Sequence, residues 1–209
     1  MKTCKRLFIY LIIISMVLAL TACAGSQSNV ETDKGNSNAN TEVLKIGVIQ
    51  YAPHASLDNC YNGLIEGLKE AGFVEGKNIK IDLQNAMGEQ ANSDMIAKNM
   101  VSSKYDLIVG IATPAAMSAY SASKDSGIPV IFTAVSDPIE AKLVKTLEAP
   151  EYTTGTSDVL PLEAQIKMIR AFLPKGKKIG IIYTTGEPNS LSHLESFKSL
   201  APKYGFEIV

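Results

Sequence analysis

The sequence predicts an α/β fold in which a parallel sheet has helices on both faces. From Val43 onward, short β-rich segments alternate with amphipathic segments, a pattern typical of parallel strands joined by helices. Residues 106–111 are nearly all apolar, as expected of a strand that is covered on both faces. Thr113-Pro114 and Ser136-Asp137-Pro138 each follow a β-rich segment and have the residues typical of a helix start.

Residues 1–22 are predicted to be a signal peptide that does not belong to the fold. Basic residues are followed by a 14-residue, mainly apolar run, Leu7 to Leu20, which is shorter than the roughly 20 residues that a permanent transmembrane helix needs. Leu20-Thr21-Ala22-Cys23 resembles a bacterial lipobox, so we expect Cys23 to begin the mature chain and to carry lipid. The alternative is an ordinary secretion signal that a cysteine happens to follow.

Residues 24–41 contain a single aliphatic residue, Val30, and no aromatic residue. A segment this polar cannot offset its ordering entropy by burial, so we expect a flexible tether. Residues 23–42 are therefore predicted to be a lipidated cysteine and its tether. They would hold a domain at the extracytoplasmic face of the cell membrane.

The composition excludes several classes of protein. The formal net charge is −1, and the predicted leader carries only basic charges, so the mature chain is acidic and a nucleic-acid partner is not expected. Three cysteines are too few for a disulfide scaffold. The two histidines, His54 and His193, and the internal Cys60 leave too few ligands for zinc or a transition metal. Cys60 is expected to be a small buried hydrophobe.

The first part of the alternation predicts three strands and two helices. The strands are expected over residues 44–50, 78–83 and 106–111. The first helix has one apolar face and ends near Gly72; its face is formed by Leu57, Tyr61, Leu64 and Leu68. The second helix is expected over residues 90–102, and its core-facing residues are Met95, Ile96 and Met100.

The next helix is predicted to begin with Thr113 as its N-cap and Pro114 at its first position. A strand over residues 129–134 follows, and then Ser136-Asp137-Pro138 repeats the pattern of a cap before a proline. Asp137 is therefore expected to cap a further helix.

Residues 147–156 interrupt the alternation and predict a crossover to a second lobe. We expect a first lobe over residues 43–153 and the start of a second lobe over residues 154–209. Within the latter, the apolar spacing predicts a helix from Leu162 to Leu173, a strand over 178–183, a helix around 191–197 and a strand from Phe206. The sequence stops within this last strand, so we expect an incomplete second lobe and a fragment of a longer protein.

Six loop segments together resemble one family. They are QYAPHASLD (50–58), QNAMGEQAN (84–92), GIATPAA (110–116), FTAVSDP (132–138), TGTSD (154–158) and IIYTTGEPNS (181–190). The likeness spans residues 44–209 and is to the tryptophan/tyrosine-type substrate-binding proteins of ABC transporters. It implies a two-lobe, type I periplasmic-binding-protein-like fold that closes on a small ligand, which we expect to be an amino acid with an aromatic or aliphatic side chain. The ligand would pass to a membrane permease that an ATPase drives, with no cofactor and no catalysis.

Each of these segments follows a strand and precedes a helix, where ligands bind in open parallel sheets. Helix N-termini and the hydroxyls of Thr113, Thr133, Ser136 and Ser190 suit a carboxylate. We expect Asp158, or as second choice Glu187, to accept an ammonium group, and Tyr51, Tyr183 and His54 to form walls. The full set of candidate ligand-binding residues is Gln50, Tyr51, His54, Asn85, Thr113, Thr133, Ser136, Ser157, Asp158, Tyr183, Asn189 and Ser190.

Other interpretations remain open at this point. Thr113, Asp137 and Asn189 are each good N-cap residues. Helix capping alone would explain any one of them, without a ligand. The same fold could bind a sugar or a nucleoside. An enzyme on a flavodoxin-like domain would have only Asp137, Asp158 and His54 for its chemistry. The sequence lacks G-x-S-x-G, P-loop and G-x-G-x-x-G loops after its strands, which argues against hydrolase, ATPase and dinucleotide-binding functions.

Overall fold

The computed structural model describes residues 43–148 and 152–209. The predicted leader, Cys23 and the tether therefore lie outside the described residues. Five parallel strands form one sheet in the order β2-β1-β3-β4-β5. They are β1 (Leu44–Gln50), β2 (Ile79–Asn85), β3 (Leu107–Ile111), β4 (Val130–Val135) and β5 (Thr153–Ser157). The predicted parallel α/β fold is confirmed.

Three helices cover the two faces of this sheet: α1 (Ala55–Glu70), α2 (Gln90–Ser102) and α3 (Thr113–Ser123). The predicted apolar face of α1 packs against a core cluster that includes Ile46, Val48 and Val109. Cys60, on α1, is a half-buried free thiol that packs against the same cluster, so it is less buried than expected. The helices α2 and α3 cover the other face through a second cluster, which includes Ile49, Met100 and Ala119.

Met95 does not face the core as expected. Its side chain is 56% exposed, whereas Ser93, Ile96, Ala97 and Met100 are buried. These four buried positions share one face of α2, and Met95 lies about 100° away from its neighbour Ile96 around the helix. The sequence alone did not distinguish this face, because α2 is only weakly amphipathic.

The helix α3 lies unusually close to the sheet because β3 carries a glycine. A Cβ atom added to Gly110 would lie 2.5 Å from Cα of Ala116 and 2.6 Å from its backbone nitrogen. Both β3 and the first half of α3 are buried almost throughout. This close contact fixes the N-terminus of α3 at the carboxyl edge of the sheet.

The strand β5 was not expected from the sequence. It pairs with β4 in the five-stranded sheet, so the boundary predicted between residues 153 and 154 falls inside a strand of this sheet. Its sequence is TTGTS, and all but its first residue are exposed, so it lacks the apolar residues that identify the other strands. The pairing contains a bulge between Phe132 and Val135 of β4.

The segment after Ser136 also differs from the prediction. Residues 138–142 form turns and not the expected helix. Asp137 still acts as a cap, because its Oδ1 accepts hydrogen bonds from the backbone N–H groups of Ile139 and Glu140, both at 2.9 Å. Pro138, Ala141 and Leu143 are buried, which holds these turns against the sheet domain.

The remaining elements are α4 (Leu162–Phe172), β6 (Lys178–Ile179), α5 (Pro188–Leu200) and β7 (Glu207–Ile208), with a 3₁₀ turn at Ala201–Tyr204. We call the five-stranded sheet with α1 to α3 lobe I, and residues 159–209 lobe II. The two predicted helices of lobe II are confirmed. Its strands are shorter than predicted, because β6 and β7 pair only with each other and only over two residues each. A small core around Ile166, Ala201 and Phe206 joins them to the helices.

Within residues 43–148 and 152–209, no helix combines the length and apolar character needed to span a bilayer.

Candidate functional site

The topology of the sheet indicates a candidate ligand site at the carboxyl ends of its strands. The strands β2 and β3 lie on opposite sides of β1, so the winding direction reverses between β1 and β3. Ligands of open parallel sheets bind beyond the carboxyl ends at such a reversal. The loops after β1, β3, β4 and β5 meet at this edge, and α3 begins there.

A cavity of about 140 Å³ lies between this edge of lobe I and the helix α5 of lobe II. Lobe I contributes Thr113, Ser136, Asp137 and Glu140, whereas α5 contributes Asn189, Ser192, His193 and Ser196. Apolar residues from the start of lobe II, Val159, Leu160 and Leu162, complete the lining together with Ala141 and Pro188. The cavity is therefore polar on two sides and apolar on a third.

The N-termini of two helices meet at this cavity. Thr113 is the first residue of α3 and Pro188 the first of α5, and both line the cavity. The first N–H groups of a helix have no partner within the helix and carry a partial positive charge. Two such ends from the two lobes make the cavity suited to a carboxylate.

Thr113 does not cap α3 as expected. The cap position is taken by Ala112, which has no side-chain hydrogen bond to offer and adopts φ 80° and ψ 154°. A non-glycine residue in this region costs about 1–3 kcal/mol, and such strain is often found at ligand sites. The strained residue directly precedes Thr113 at the cavity wall.

Two buried polar atoms at the cavity have no hydrogen-bond partner among the described residues. They are Oγ1 of Thr113, whose residue is 2% exposed, and Oδ1 of Asn189. An unsatisfied buried polar group costs about 1–3 kcal/mol. Because one atom belongs to lobe I and the other to lobe II, a ligand in the cavity could satisfy both at once.

The ionisable groups at the cavity are two carboxylates and one imidazole. Asp137 and Glu140 belong to lobe I, and His193 belongs to α5. No lysine or arginine is among the described residues that line the cavity. His193 is half-buried at this site. The charge distribution favours a ligand that carries a positive group.

Four candidate residues of lobe I have local hydrogen-bond partners and do not line the cavity. Gln50 is 2% exposed, and its Nε2 donates to Oδ1 of Asp58 at 2.8 Å. His54 caps α1 by accepting from the N–H of Ser56, and Asn85 accepts from the N–H of Met87. Thr133 accepts a 3.0 Å hydrogen bond from the hydroxyl of Thr156. These side chains shape the loops around the site.

Tyr51 is half-buried and packs against the core cluster of α2 and α3. Burial, followed by the negative charges of Glu187 and Glu89, raises the pKa of Tyr51 above its ordinary value. Glu187, which precedes α5, is therefore close enough to the loop after β1 to affect the pKa of Tyr51. Tyr51 and Glu187 therefore belong to the same side of the molecule, although neither lines the cavity itself.

The remaining candidate residues lie at the margin of the cavity. Ser157 and Asp158 are exposed, and the neighbouring Val159 and Leu160 line the cavity in their place. Tyr183 is 45% exposed and is not among the lining residues. Ser190 accepts a hydrogen bond from the N–H of Thr184, which fixes the loop before α5. Of the twelve candidates, the structure brings Thr113, Ser136 and Asn189 together.

Four polar residues of the lining were not expected from the sequence to contribute to a site: Glu140, Ser192, His193 and Ser196. Together with Asn189, the last three occupy positions i, i+3, i+4 and i+7 of α5, which is one face of a helix. This polar stripe was present in the sequence. Serine, asparagine and histidine at this spacing are also typical of a solvated helix face, so the pattern alone does not indicate a site. Within the described part of the chain, no group of three or more His, Cys, Asp or Glu side chains could hold a metal ion.

Comparison with known proteins identifies relatives for most of the chain. The sequence profile of a family described as "ABC transporter substrate binding protein" matches residues 45–209. A "Tyrosine-binding protein" of Clostridioides difficile (strain R20291) is 42% identical over 202 residues, which cover 95% of this chain and 58% of that protein. The chain therefore spans little more than half the length of this relative.

Two solved structures are similar to this chain to different degrees. A Streptococcus pneumoniae ABC domain in complex with L-Trp has a TM-score of 0.76, and a ligand-free, open substrate-binding protein of Clostridium difficile has a TM-score of 0.62. Both are 43% identical and cover 80% of this chain and 56% of their own. The described residues thus adopt a type I periplasmic-binding-protein-like fold, and their arrangement is closer to that of the complex.

Proposed function

Because the chain belongs to the ABC transporter substrate-binding protein family, we propose that it binds a zwitterionic amino acid between its two lobes and delivers it to a membrane permease. The observation that carries this proposal is the composition of the cavity. Two helix N-termini and two carboxylates meet there, and no lysine or arginine lines it. These groups complement a ligand that carries one negative and one positive charge.

The ligand carboxylate is assigned to the space between the N-termini of α3 and α5. Their free N–H groups and the hydroxyls of Thr113 and Ser136 supply donors there without a cationic side chain. The proposed site would thereby satisfy Thr113 Oγ1, which has no partner among the described residues. A ligand with two carboxylates, or an aromatic acid without an amine, would meet the negative charges of Asp137 and Glu140 unpaired.

The ammonium group is assigned to Asp137, with Asn189 Oδ1 as a second acceptor. One oxygen of Asp137 already accepts two backbone N–H groups, which fixes the carboxylate and leaves its other oxygen for the ligand. This assignment replaces our first expectation, Asp158, because Asp137 lines the cavity and Asp158 does not. A charged hydrogen bond of this kind contributes about 1.5–3 kcal/mol.

The side chain of the ligand is proposed to be aromatic. The cavity of about 140 Å³ suits the α-amino-carboxylate group, while complete small-molecule pockets measure roughly 300–1,000 Å³. A larger side chain would extend past the apolar residues Val159, Leu160 and Leu162. An aromatic preference is supported by the names of the relatives, one a tyrosine-binding protein and the other a complex with L-Trp.

We extend the proposal to the cellular setting of the protein. Cys23 would carry lipid, and residues 24–42 would tether the domain to the extracytoplasmic face of the cell membrane. The sequence Leu20-Thr21-Ala22-Cys23 and the polar segment after it support this arrangement. The expected partners are an ABC permease and its ATPase subunit. The family is one of binding proteins, so the enzyme alternative is set aside.

A sugar or nucleoside remains the second candidate, because hydroxyl groups of Thr113, Ser136, Ser192 and Ser196 line the cavity. Such an uncharged ligand would not need Asp137. The charge of Asp137 therefore discriminates between the two candidates.

The absence of tryptophan from the 209-residue sequence allows a direct test. L-Tryptophan added to the detergent-solubilised chain is the only indole present, so selective excitation of the indole separates its fluorescence from that of the eight tyrosines. We expect saturable binding that L-tyrosine competes away and that sugars and nucleosides do not. Asp137→Asn should weaken binding by roughly tenfold or more, while the matched Asp158→Asn should have little effect. Loss of affinity only in Asp158→Asn would reject the assignment to Asp137. Binding of sugars but of no amino acid would overturn the proposed function.

A further inference from the structure

One hydrogen bond joins the two lobes beside the cavity. The hydroxyl of Ser192, on α5, donates to the carboxylate of Glu140, on the turn after β4. The two residues belong to different lobes and are 52 positions apart in the sequence, so the contact forms only when the lobes lie together. A charge-assisted hydrogen bond of this type is stronger than one between neutral groups.

Glu140 is held in a fixed position on lobe I. Its backbone N–H donates to the carboxylate of Asp137, and the next residue, Ala141, donates to the carbonyl of Asp137 at 3.0 Å. Ala141 is itself buried in a core cluster with Phe132 and Leu143. Little conformational freedom therefore has to be lost at this backbone when Glu140 meets Ser192.

The contact lies in the wall between the ligand cavity and the outside. Glu140, Ser192 and Ser196 line both the cavity and an adjoining open groove, whose other residues include Glu195 and Ser199. The hydrogen bond therefore lies where the ligand cavity and the outer groove meet. Separation of the two side chains would widen this boundary.

We propose that Glu140 and Ser192 form a latch that keeps the lobes closed and slows ligand release. Glu140 is a positioning residue in this assignment, because it acts through Ser192. The inference rests on the proposed function as far as the ligand is concerned, whereas the contact itself does not depend on any ligand. The greater similarity of this structure to the L-Trp complex than to the open structure is consistent with a contact of the closed arrangement.

The kinetic test uses the full chain and L-tryptophan as its probe. Dissociation is followed by stopped-flow fluorescence after mixing with excess L-tyrosine. Ser192→Ala should release L-tryptophan about 3- to 10-fold faster, as expected for the loss of one hydrogen bond, while Ser192→Thr, which keeps the hydroxyl, should restore slow release. The association rate of L-tryptophan should stay unchanged, whereas a merely structural role would alter association and dissociation together.

Ser199→Ala is the matched control, since Ser199 lies on the same helix and lines only the outer groove. Combining Ser192→Ala with Glu140→Gln should add little to the effect of Ser192→Ala, because both remove the same bond. The latch would be rejected if Ser192→Ala released L-tryptophan at the same rate as the parent chain. It would also be rejected if Ser199→Ala accelerated release as much as Ser192→Ala does.

A second measurement examines the contact without a ligand. In a full chain with its native cysteines replaced by serine, Glu140→Cys and Ser192→Cys should be joined rapidly by a short bifunctional thiol reagent. Glu140→Cys with Ser199→Cys should react more slowly. Equal rates for the two pairs would reject the latch even if the protein binds amino acids. Rapid joining together with no binding of any amino acid would reject only the proposed function.

Discussion

The guanidinium group of Arg170 lies over the ring of Phe206, 3.6 Å from the ring centroid, and connects the end of α4 to the residue that precedes β7. Its nitrogen atoms also donate to the backbone carbonyls of Leu173, Pro174, Gly176 and Tyr204. Arginine suits this position because its planar group carries five N–H donors in a fixed arrangement. The side chain thus satisfies carbonyl groups of two separate loops of lobe II.

Arg170→Lys should destabilise the protein although it keeps the charge. A lysine has three donors on one nitrogen and cannot reach carbonyls on both loops while lying over the ring, so several backbone carbonyls lose their partner. We expect the free energy of unfolding to fall by about 2–3 kcal/mol, measured by urea denaturation. Lys198→Met, which removes an exposed ion pair with Glu195 on α5, is the control and should leave the unfolding midpoint nearly unchanged. Equal midpoints for the two variants would contradict the role of Arg170.

Gly110 and Ala116 provide a second test, because their distance leaves no room for a side chain on β3. In Gly110→Ala the new Cβ would lie 2.5 Å from Cα of Ala116, so the backbone of α3 would have to move. Overpacking of this kind costs about 1–3 kcal/mol, and the displaced helix would carry Thr113 away from the cavity. We therefore expect lower stability and weaker ligand binding together, measured by denaturation and by L-tryptophan fluorescence.

Gly67→Ala is the matched control for this prediction. Gly67 lies inside α1, and a Cβ added there would meet no atom within 4 Å. Alanine is favoured over glycine inside a helix by roughly 0.5–1 kcal/mol, so this variant should be slightly more stable and should bind normally. A loss of stability in Gly67→Ala as large as in Gly110→Ala would show that the tight contact at β3 is not the cause.

Some parts of the fold and of the site follow from the sequence, and others do not. The helices of lobe I and its buried strands follow from apolar periodicity, and two candidates from the motifs after β3 and β4, Thr113 and Ser136, both line the cavity. Glu140 was missed because its position depends on turns after Asp137, where the sequence predicted a helix. Likewise β5 was missed because an exposed edge strand needs few apolar residues. Which loop residues face the cavity depends on contacts between the lobes, and local sequence patterns do not encode those contacts.

Tyr105 and Asp82 give a prediction about alkaline pH. The hydroxyl of Tyr105 donates a 2.7 Å hydrogen bond to Oδ2 of Asp82, which also accepts from Gln84. This hydrogen bond, followed by burial and the charge of Asp82, raises the pKa of Tyr105 from 10.0 to about 12. Because the pKa in the folded state exceeds that in the unfolded state, the neutral phenol stabilises the fold below pH 10. That contribution should be lost as the pH rises from about 10 to about 12.

The measurement is a titration of tyrosinate absorbance at alkaline pH for the parent chain and for Tyr105→Phe. The difference between the two curves should show one group with a midpoint near pH 12, provided that circular dichroism shows the chain still folded there. Asp82→Asn removes the charge but keeps a side-chain oxygen as acceptor, so it should move this midpoint toward the ordinary value for tyrosine. The stability difference between parent and Tyr105→Phe should also shrink above pH 10. A difference titration centred near pH 10 in the parent would show that Asp82 does not hold the phenol in its neutral form.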